Sequence, residues 1–170
     1  MEKGKAMERF ALIIFDVDGT LTTTKSGARV RKKAADWQWL PGRLAKLHAL
    51  KQKGVQIAIA TNQAGVAFGY LSQPALHKEL ERMLREAHLP PDTLYVCYTH
   101  PKATLSEFLE TGEKACRKPH PAMLLAAMQH FGVPADKTLY VGDRPVDKET
   151  ASNAGVAYMP ANEFFHPDVS

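Results

Sequence analysis

Short, uninterrupted apolar runs alternate along this chain with longer segments in which apolar residues recur at helical spacing. Ala11-Leu12-Ile13-Ile14-Phe15, residues 55–60, residues 93–98, Thr138-Leu139-Tyr140-Val141 and Val156-Ala157-Tyr158 are the runs. Their length and continuity predict strands covered on both faces, as in a parallel sheet. Between them, Leu44, Leu47 and Leu50 follow Pro41 and stop at Gly54, while Leu76, Leu80, Met83, Leu84 and Ala87 share a face behind Ser72 and Pro74. Ser72 is a side chain able to cap a helix, and proline suits a first turn. A third helix is predicted from about Pro121 to Phe131, stopped by Gly132, and a shorter one through Ala154. The alternation predicts an α/β fold: a Rossmann-like parallel sheet with helices on both faces, joined by right-handed crossovers. Residues 21–36 read as a polar stretch. Residues 99–117 carry no clear pattern beyond Leu105, Phe108 and Leu109. Neither connection looks able to form a folded lid.

Chemistry collects where the strands end. The first closes on Asp16-Val17-Asp18-Gly19-Thr20, the second on Thr61-Asn62-Gln63-Ala64-Gly65, and the fourth on Gly142-Asp143-Arg144-Pro145-Val146-Asp147. Arg117-Lys118-Pro119 stands just before the third helix. Side chains two apart on a strand point the same way, so Asp16 and Asp18 can share a small volume. Two such carboxylates repel unless one takes a proton or a cation joins them. A divalent ion with hard oxygen ligands, Mg²⁺, resolves the conflict. Gly19 admits a ligand close to the backbone. Each motif alone also reads as a turn, since Asp-Gly and Thr-Asn are common turn pairs. Together they lie where open parallel sheets bind ligands, beyond the carboxyl ends of the strands. Three acids, a lysine and a hydroxyl suit displacement at phosphorus, with one carboxylate as nucleophile.

Composition narrows the setting. The 170 residues, 45% hydrophobic and 24% charged, suit one globular domain over 1–170. No run approaches the ~18 apolar residues of a membrane span, and residues 1–9 lack the apolar block of a secretion signal. Two cysteines, Cys97 and Cys116, are too few for a disulfide framework and read as packing residues in a cytoplasmic protein. The net charge of +4 favours an anionic partner. Lys25, Arg29, Arg31, Lys32 and Lys33 form an acid-free basic run, either a solvated loop or a grip on phosphates. Trp37 and Trp39 follow it, as core or as a surface on which bases stack.

Asp16-x-Asp18-Gly-Thr, Thr61-Asn62-Gln63, Lys118-Pro119 and Gly142-Asp143 resemble, in order, the four motifs of the haloacid dehalogenase superfamily of phosphatases. The resemblance implies a capless fold in which Asp16 attacks phosphorus and becomes a phosphoaspartate. Asp18 would protonate the leaving oxygen and later deprotonate water. Thr61 and Lys118 would hold and neutralise the phosphoryl group, with Gly19, Asn62 and Arg117 as substrate-binding residues. Mg²⁺ would be bound by Asp16, Asp143 and the backbone carbonyl of Asp18, with Asp147 as a further or outer ligand. Residues 15–27, Asp36-Trp37, residues 61–65 and residues 160–165 are similar to the 3′-phosphatase domain of polynucleotide kinase/phosphatases. Residues 116–121 and 123–125 look like the heptose bisphosphate and histidinol-phosphate phosphatases. Those enzymes carry a zinc loop of the form Cys-x-His…Cys-x-Cys, in which Thr99 and Lys114 here replace two ligands; zinc is not expected. The first expectation is a monomeric, Mg²⁺-dependent polynucleotide 3′-phosphatase without a membrane partner. A small-molecule phosphatase is the second, and a catalytically idle phosphate-binding module the third. There is no Gly-x-x-x-x-Gly-Lys-Ser/Thr kinase loop.

Overall fold

The structure is a computed structural model that describes residues 7–166. The first residues of the segment read as lacking a secretion signal lie outside it. Five strands, β1 (Leu12–Phe15), β4 (Gln56–Asn62), β5 (Leu94–Cys97), β6 (Thr138–Gly142) and β7 (Ala157–Pro160), form one parallel sheet in the order β5-β4-β1-β6-β7. The most apolar run takes the central place: all four residues of β1 are buried, with Leu12 in register with Gln56 on one side and Thr138 on the other.

The two-residue period of the strands divides the core. Ile13, Phe15, Ile57, Ile59, Leu139 and Val141 face one way, where they meet Leu47 and Leu50 of α1 (Arg43–Gln52) and Leu76, Leu80, Met83 and Leu84 of α2 (Gln73–Glu86). Leu12, Ile14, Ala58, Ala60 and Tyr140 face the other way, beneath α3 (Ala122–Phe131) and α4 (Pro145–Ala154). A last turn, α5 (Ala161–Phe164), returns Phe164 to Phe15 in an edge-on contact of 5.4 Å. Helices therefore cover both faces of an α/β sheet. Leu76 and Leu80 are at most 1% exposed, and burying each contributes roughly 1.5–3 kcal/mol. Ser72 accepts the Ala75 amide at the start of α2, the cap that its position predicts. Among the described residues neither long connection folds as a separate cap, and no helix is long and apolar enough to cross a membrane.

Three features depart from the sequence reading. Residues 21–40 contain a small antiparallel hairpin, β2 (Thr22–Thr23) with β3 (Gln38–Trp39). The hairpin turns Trp37 into the core at 3% exposure, where its Nε1 donates to Glu79 and the Arg82 guanidinium lies 4.7 Å over the ring. Trp39 is half-buried and donates to Glu86; Trp37, packed in the core beneath Arg82, offers no free ring for stacking on a base.

Second, Cys97 and Cys116 are not separate packing residues but a disulfide. The loop they close leaves the carboxyl end of β5 and returns to the same sheet edge, which brings residues 19 apart together. The Thr99 hydroxyl lies 3.4 Å from each sulfur and donates to Glu110.

Third, Arg31 is not part of a solvated run. Its side chain is 5% exposed and turned inward.

Candidate active site

The carboxyl edge of the sheet gathers the polar strand ends around one cleft of about 530 Å³. β1 delivers Asp16, and the chain then winds tightly: the Val17 carbonyl accepts the amides of Thr20, Leu21 and Thr22. The turn needs Gly19, whose φ is +84° and whose place for a Cβ lies 2.2 Å from Asp143 Oδ2. Thr20 donates to the other Asp143 oxygen at 3.1 Å, tying the loop after β1 to the end of β6.

Lys118 is the hub. Its ammonium lies 2.9 Å from Asp16 Oδ1, 2.9 Å from Asp147 Oδ1 and 2.8 Å from the Tyr140 hydroxyl, at 5% residue exposure. The Lys118 amide donates to Asn62 Oδ1, so the end of β4 fixes the segment that carries the lysine. One ammonium thus serves two buried carboxylates, and their proton affinities separate. Burial pushes Asp16 up to about 7; Lys118 pulls it down, and the charges of Asp147 and Asp18 add to the rise. For Asp147, burial is overcome by the Lys118 charge and by hydrogen bonds, and its carboxyl falls below the ordinary value. Lys118 itself is raised, because the two carboxylates outweigh the burial that would lower it. Burial and the same acids hold Tyr140 well above its usual value, so its hydroxyl stays protonated and donates to Asp147.

Asp147 has donors on both oxygens. Oδ1 accepts from Lys118 and Tyr140, and Oδ2 accepts the amides of Asp143 and Arg144, the second as a capping-box acid does at the start of α4. Asp18 is likewise held twice, by Arg31 Nη2 at 3.0 Å from Oδ1 and by Gln63 Nε2 at 2.8 Å from Oδ2. Gln63 also donates to Thr61 Oγ1 at 3.0 Å.

Asp16, Asp18, Gly19, Asn62, Arg117 and Lys118 line the cleft. Thr61 is 1% exposed and lies behind Gln63. Asp143 stands against Gly19, and one oxygen each of Asp16, Asp143 and Asp147 lie within 4.8 Å of one another. That donor set is all hard oxygen, and a divalent cation would favour the ionised form of Asp16 against the burial that raises it and offset the charges of Asp147 and Asp18, so the residues fit Mg²⁺. Arg117 has its Nη1 buried without a hydrogen-bond partner; burial lowers this guanidinium, with Glu110 raising it and Arg144 lowering it.

Four residues of the site had no such role in the sequence reading. Arg31 was hidden in a charge run. Gln63 reads in the sequence only as the last residue of Thr61-Asn62-Gln63. Tyr140 was one letter of an apolar strand, although a buried tyrosine hydroxyl normally needs a partner. Arg144 lines the cleft beside Asp143.

Residues 11–165 match the family model described as polynucleotide kinase 3 phosphatase. The chain is 29% identical over 147 residues to the D-glycero-beta-D-manno-heptose-1,7-bisphosphate 7-phosphatase of Escherichia coli (strain K12), covering 85% of this chain and 74% of that one. The D,D-heptose 1,7-bisphosphate phosphatase of B. bronchiseptica, solved with magnesium and phosphate, superposes with a TM-score of 0.68 at 29% identity, over 88% of this chain and 79% of that one. A haloacid-dehalogenase-like protein from Mesorhizobium loti gives 0.69 at 25% identity, over 87% and 70%. With the model match spanning the sheet and every strand end described above, the chain belongs to the polynucleotide kinase 3 phosphatase family and is a phosphatase of the haloacid dehalogenase superfamily.

Proposed function

We propose that this phosphatase is a Mg²⁺-dependent phosphomonoesterase that works through a phosphoaspartate on Asp16 and takes a small phosphorylated metabolite of the sugar bisphosphate kind. The observation that carries the reaction is the buried Asp16–Lys118–Asp147 cluster opening onto the cleft. An Asp16 oxygen attacks phosphorus, the bond from phosphorus to the ester oxygen breaks, and the proton of Asp18 goes to that oxygen. The Asp18 carboxylate then takes a proton from the water that cleaves the phosphoaspartate, releasing inorganic phosphate and restoring Asp16. Lys118 offsets charge on the phosphoryl oxygens, Asn62 offers a further donor from the cleft wall, Thr61 steadies Gln63 from behind, and Asp147 with Tyr140 holds the lysine in place. Asp16, Asp143 and the Asp18 backbone carbonyl would hold Mg²⁺, which when bound polarises the phosphoryl group. Asp147, with donors already on both oxygens, suits a place behind those ligands.

Two observations favour a small substrate. The basic run that would track a polynucleotide backbone loses Arg31 to Asp18, and Trp37 is packed in the core. Arg29, Arg117 and Arg144 line the cleft itself, where a second phosphate of a compact substrate would lie. The named heptose bisphosphate phosphatases among the relatives support the same choice. A polynucleotide 3′ end is the second reading, favoured by the family match and by exposed Lys25, Lys32 and Lys33. Hydrolysis of heptose 1,7-bisphosphate, histidinol phosphate and a 3′-phosphorylated oligonucleotide, side by side with Mg²⁺, tests the choice. The bisphosphate should give the highest kcat/KM. A tenfold preference for the oligonucleotide would establish the second reading instead, and an absence of turnover on all three would remove both.

A further inference from the structure

We propose that Arg31 is a positioning residue for the proton transfer made by Asp18, a role that rests on reading Asp18 as the proton donor. The residue lies between β2 and β3 among exposed neighbours, yet its own side chain is 5% exposed. A guanidinium so buried needs partners for its donors. Arg31 finds them in Asp18: Nη2 lies 3.0 Å and Nε 3.4 Å from Oδ1 of that carboxylate, while Nη1 donates to the Ala34 carbonyl at 3.2 Å. From the opposite element, the end of β4, Gln63 Nε2 reaches Oδ2 at 2.8 Å and is itself steadied by Thr61 Oγ1. Oδ1 therefore takes two N–H groups from Arg31 and Oδ2 one from Gln63, so the two oxygens are held from different parts of the chain and Oδ2 keeps a lone-pair direction free. The plane of the carboxyl is set while its outer face stays open to the cleft.

The arrangement has a chemical consequence. When the Asp18 O–H bond breaks, the proton joins the ester oxygen, whose electron pair comes from the cleaving P–O bond, and a carboxylate is left behind. The guanidinium meets that new charge without moving. A lysine could supply the charge but not two N–H groups aimed at one oxygen. An amino acid that only anchored the hairpin would need the Ala34 contact alone.

The leaving group separates positioning from structure. A nitrophenolate departs readily without a proton, whereas phenolate gains far more from one, so loss of proton delivery must widen the gap between the two esters. kcat/KM covers the steps through transfer of phosphorus to Asp16, in which the leaving group goes. In Arg31→Ala, kcat/KM for phenyl phosphate should fall about 10–10²-fold, within the range that general acid catalysis supplies, and for p-nitrophenyl phosphate by less than about threefold. Arg31→Lys should recover part of the phenyl phosphate loss, and added guanidinium should restore Arg31→Ala toward the wild-type ratio. Equal losses on both esters, or none, would overturn the proposal. Asp18→Asn is measured in parallel and should open the same gap. A gap in Asp18→Asn but not in Arg31→Ala refutes the positioning role alone; no gap in Asp18→Asn refutes the donor reading, and the positioning role with it. If Arg31→Ala does not fold, Arg31→Lys and Arg31→Gln carry the comparison, with a graded gap expected and equal losses again decisive against it.

Discussion

Replacing Asp16 by asparagine should stabilise the metal-free protein even as it abolishes turnover. In the folded chain the Asp16 carboxyl is raised from 3.8 to about 7, first by burial and then by the neighbouring acids, after the attraction of Lys118 has been counted. In the unfolded chain it returns to the ordinary carboxylate value. A difference of about three pH units at about 1.4 kcal/mol each amounts to at most about 4 kcal/mol. A carboxyl raised on folding binds its proton more tightly in the native state, so native stability falls as pH rises from about 4 to about 7 and the loss is complete above that. Asparagine resembles the protonated acid in shape and charge and escapes the loss. Because the shift already contains the Lys118 attraction, no separate bond need be subtracted. At pH 8, with chelator present, Asp16→Asn should be about 2–4 kcal/mol more stable than wild type. For a chain of this size that raises Tm by roughly 4–15 °C. Near pH 4 the two proteins should melt together. Thermal unfolding followed by circular dichroism from pH 4 to 8 checks this, and adding Mg²⁺ should lift the wild type more than the variant. A variant less stable than wild type at pH 8, or a gap independent of pH, would refute the reasoning.

Reducing the Cys97–Cys116 disulfide opens a loop of about 20 residues, worth about 3 kcal/mol by chain entropy. The denaturation midpoint should drop accordingly, and an unchanged midpoint would refute that contribution. Gly19→Ala sets a Cβ against Asp143 in a backbone of positive φ, so turnover should fall at least ~10²-fold while the protein stays folded; activity within twofold of wild type would be the contrary result. Lys118→Met leaves the buried Asp16 and Asp147 without their shared cation and should cost about 3–5 kcal/mol, read by denaturant unfolding. Lys32→Glu with Lys33→Glu should leave hydrolysis of a sugar bisphosphate within about twofold, and a loss confined to a 3′-phosphorylated oligonucleotide would instead support the polynucleotide reading.

The parallel sheet was legible because strands covered on both faces cannot afford polar alternation. Leu12 to Phe15 must satisfy two cores at once, and so they appear as an unbroken apolar run. Helix α2 was equally plain, since Leu76, Leu80, Met83 and Leu84 repeat on one face behind a serine cap. The hairpin was not legible. Two-residue strands have no period to detect, and the pairing of Thr22 with Trp39 depends on where Leu21 and Trp37 bury themselves. The disulfide escaped for a related reason. Spacing along the chain says nothing of two cysteines meeting unless the sheet edge to which both ends of their loop return is already known.

The site divides along the same line. In an open parallel sheet the carboxyl ends of neighbouring strands converge whatever the connections between them, so a polar residue at such an end is placed by fold class alone. Asp16, Asn62 and Asp143 needed nothing more. Arg31 and Tyr140 needed the three-dimensional partner. Within Arg29-Val30-Arg31-Lys32-Lys33 every cation has the same solvation preference, and only the Asp18 carboxylate distinguishes the one that turns inward. Tyr140 reads as one more large apolar residue of β6 until α4 sets Asp147 against its hydroxyl. Such groups are the ones whose burial a sequence most readily misjudges, because their polar atoms are tolerable inside only where a specific counterpart waits. The misreading is therefore informative: a charged or hydroxylated side chain turned inward beside a strand end shows where the fold has committed two elements to a single proton or charge.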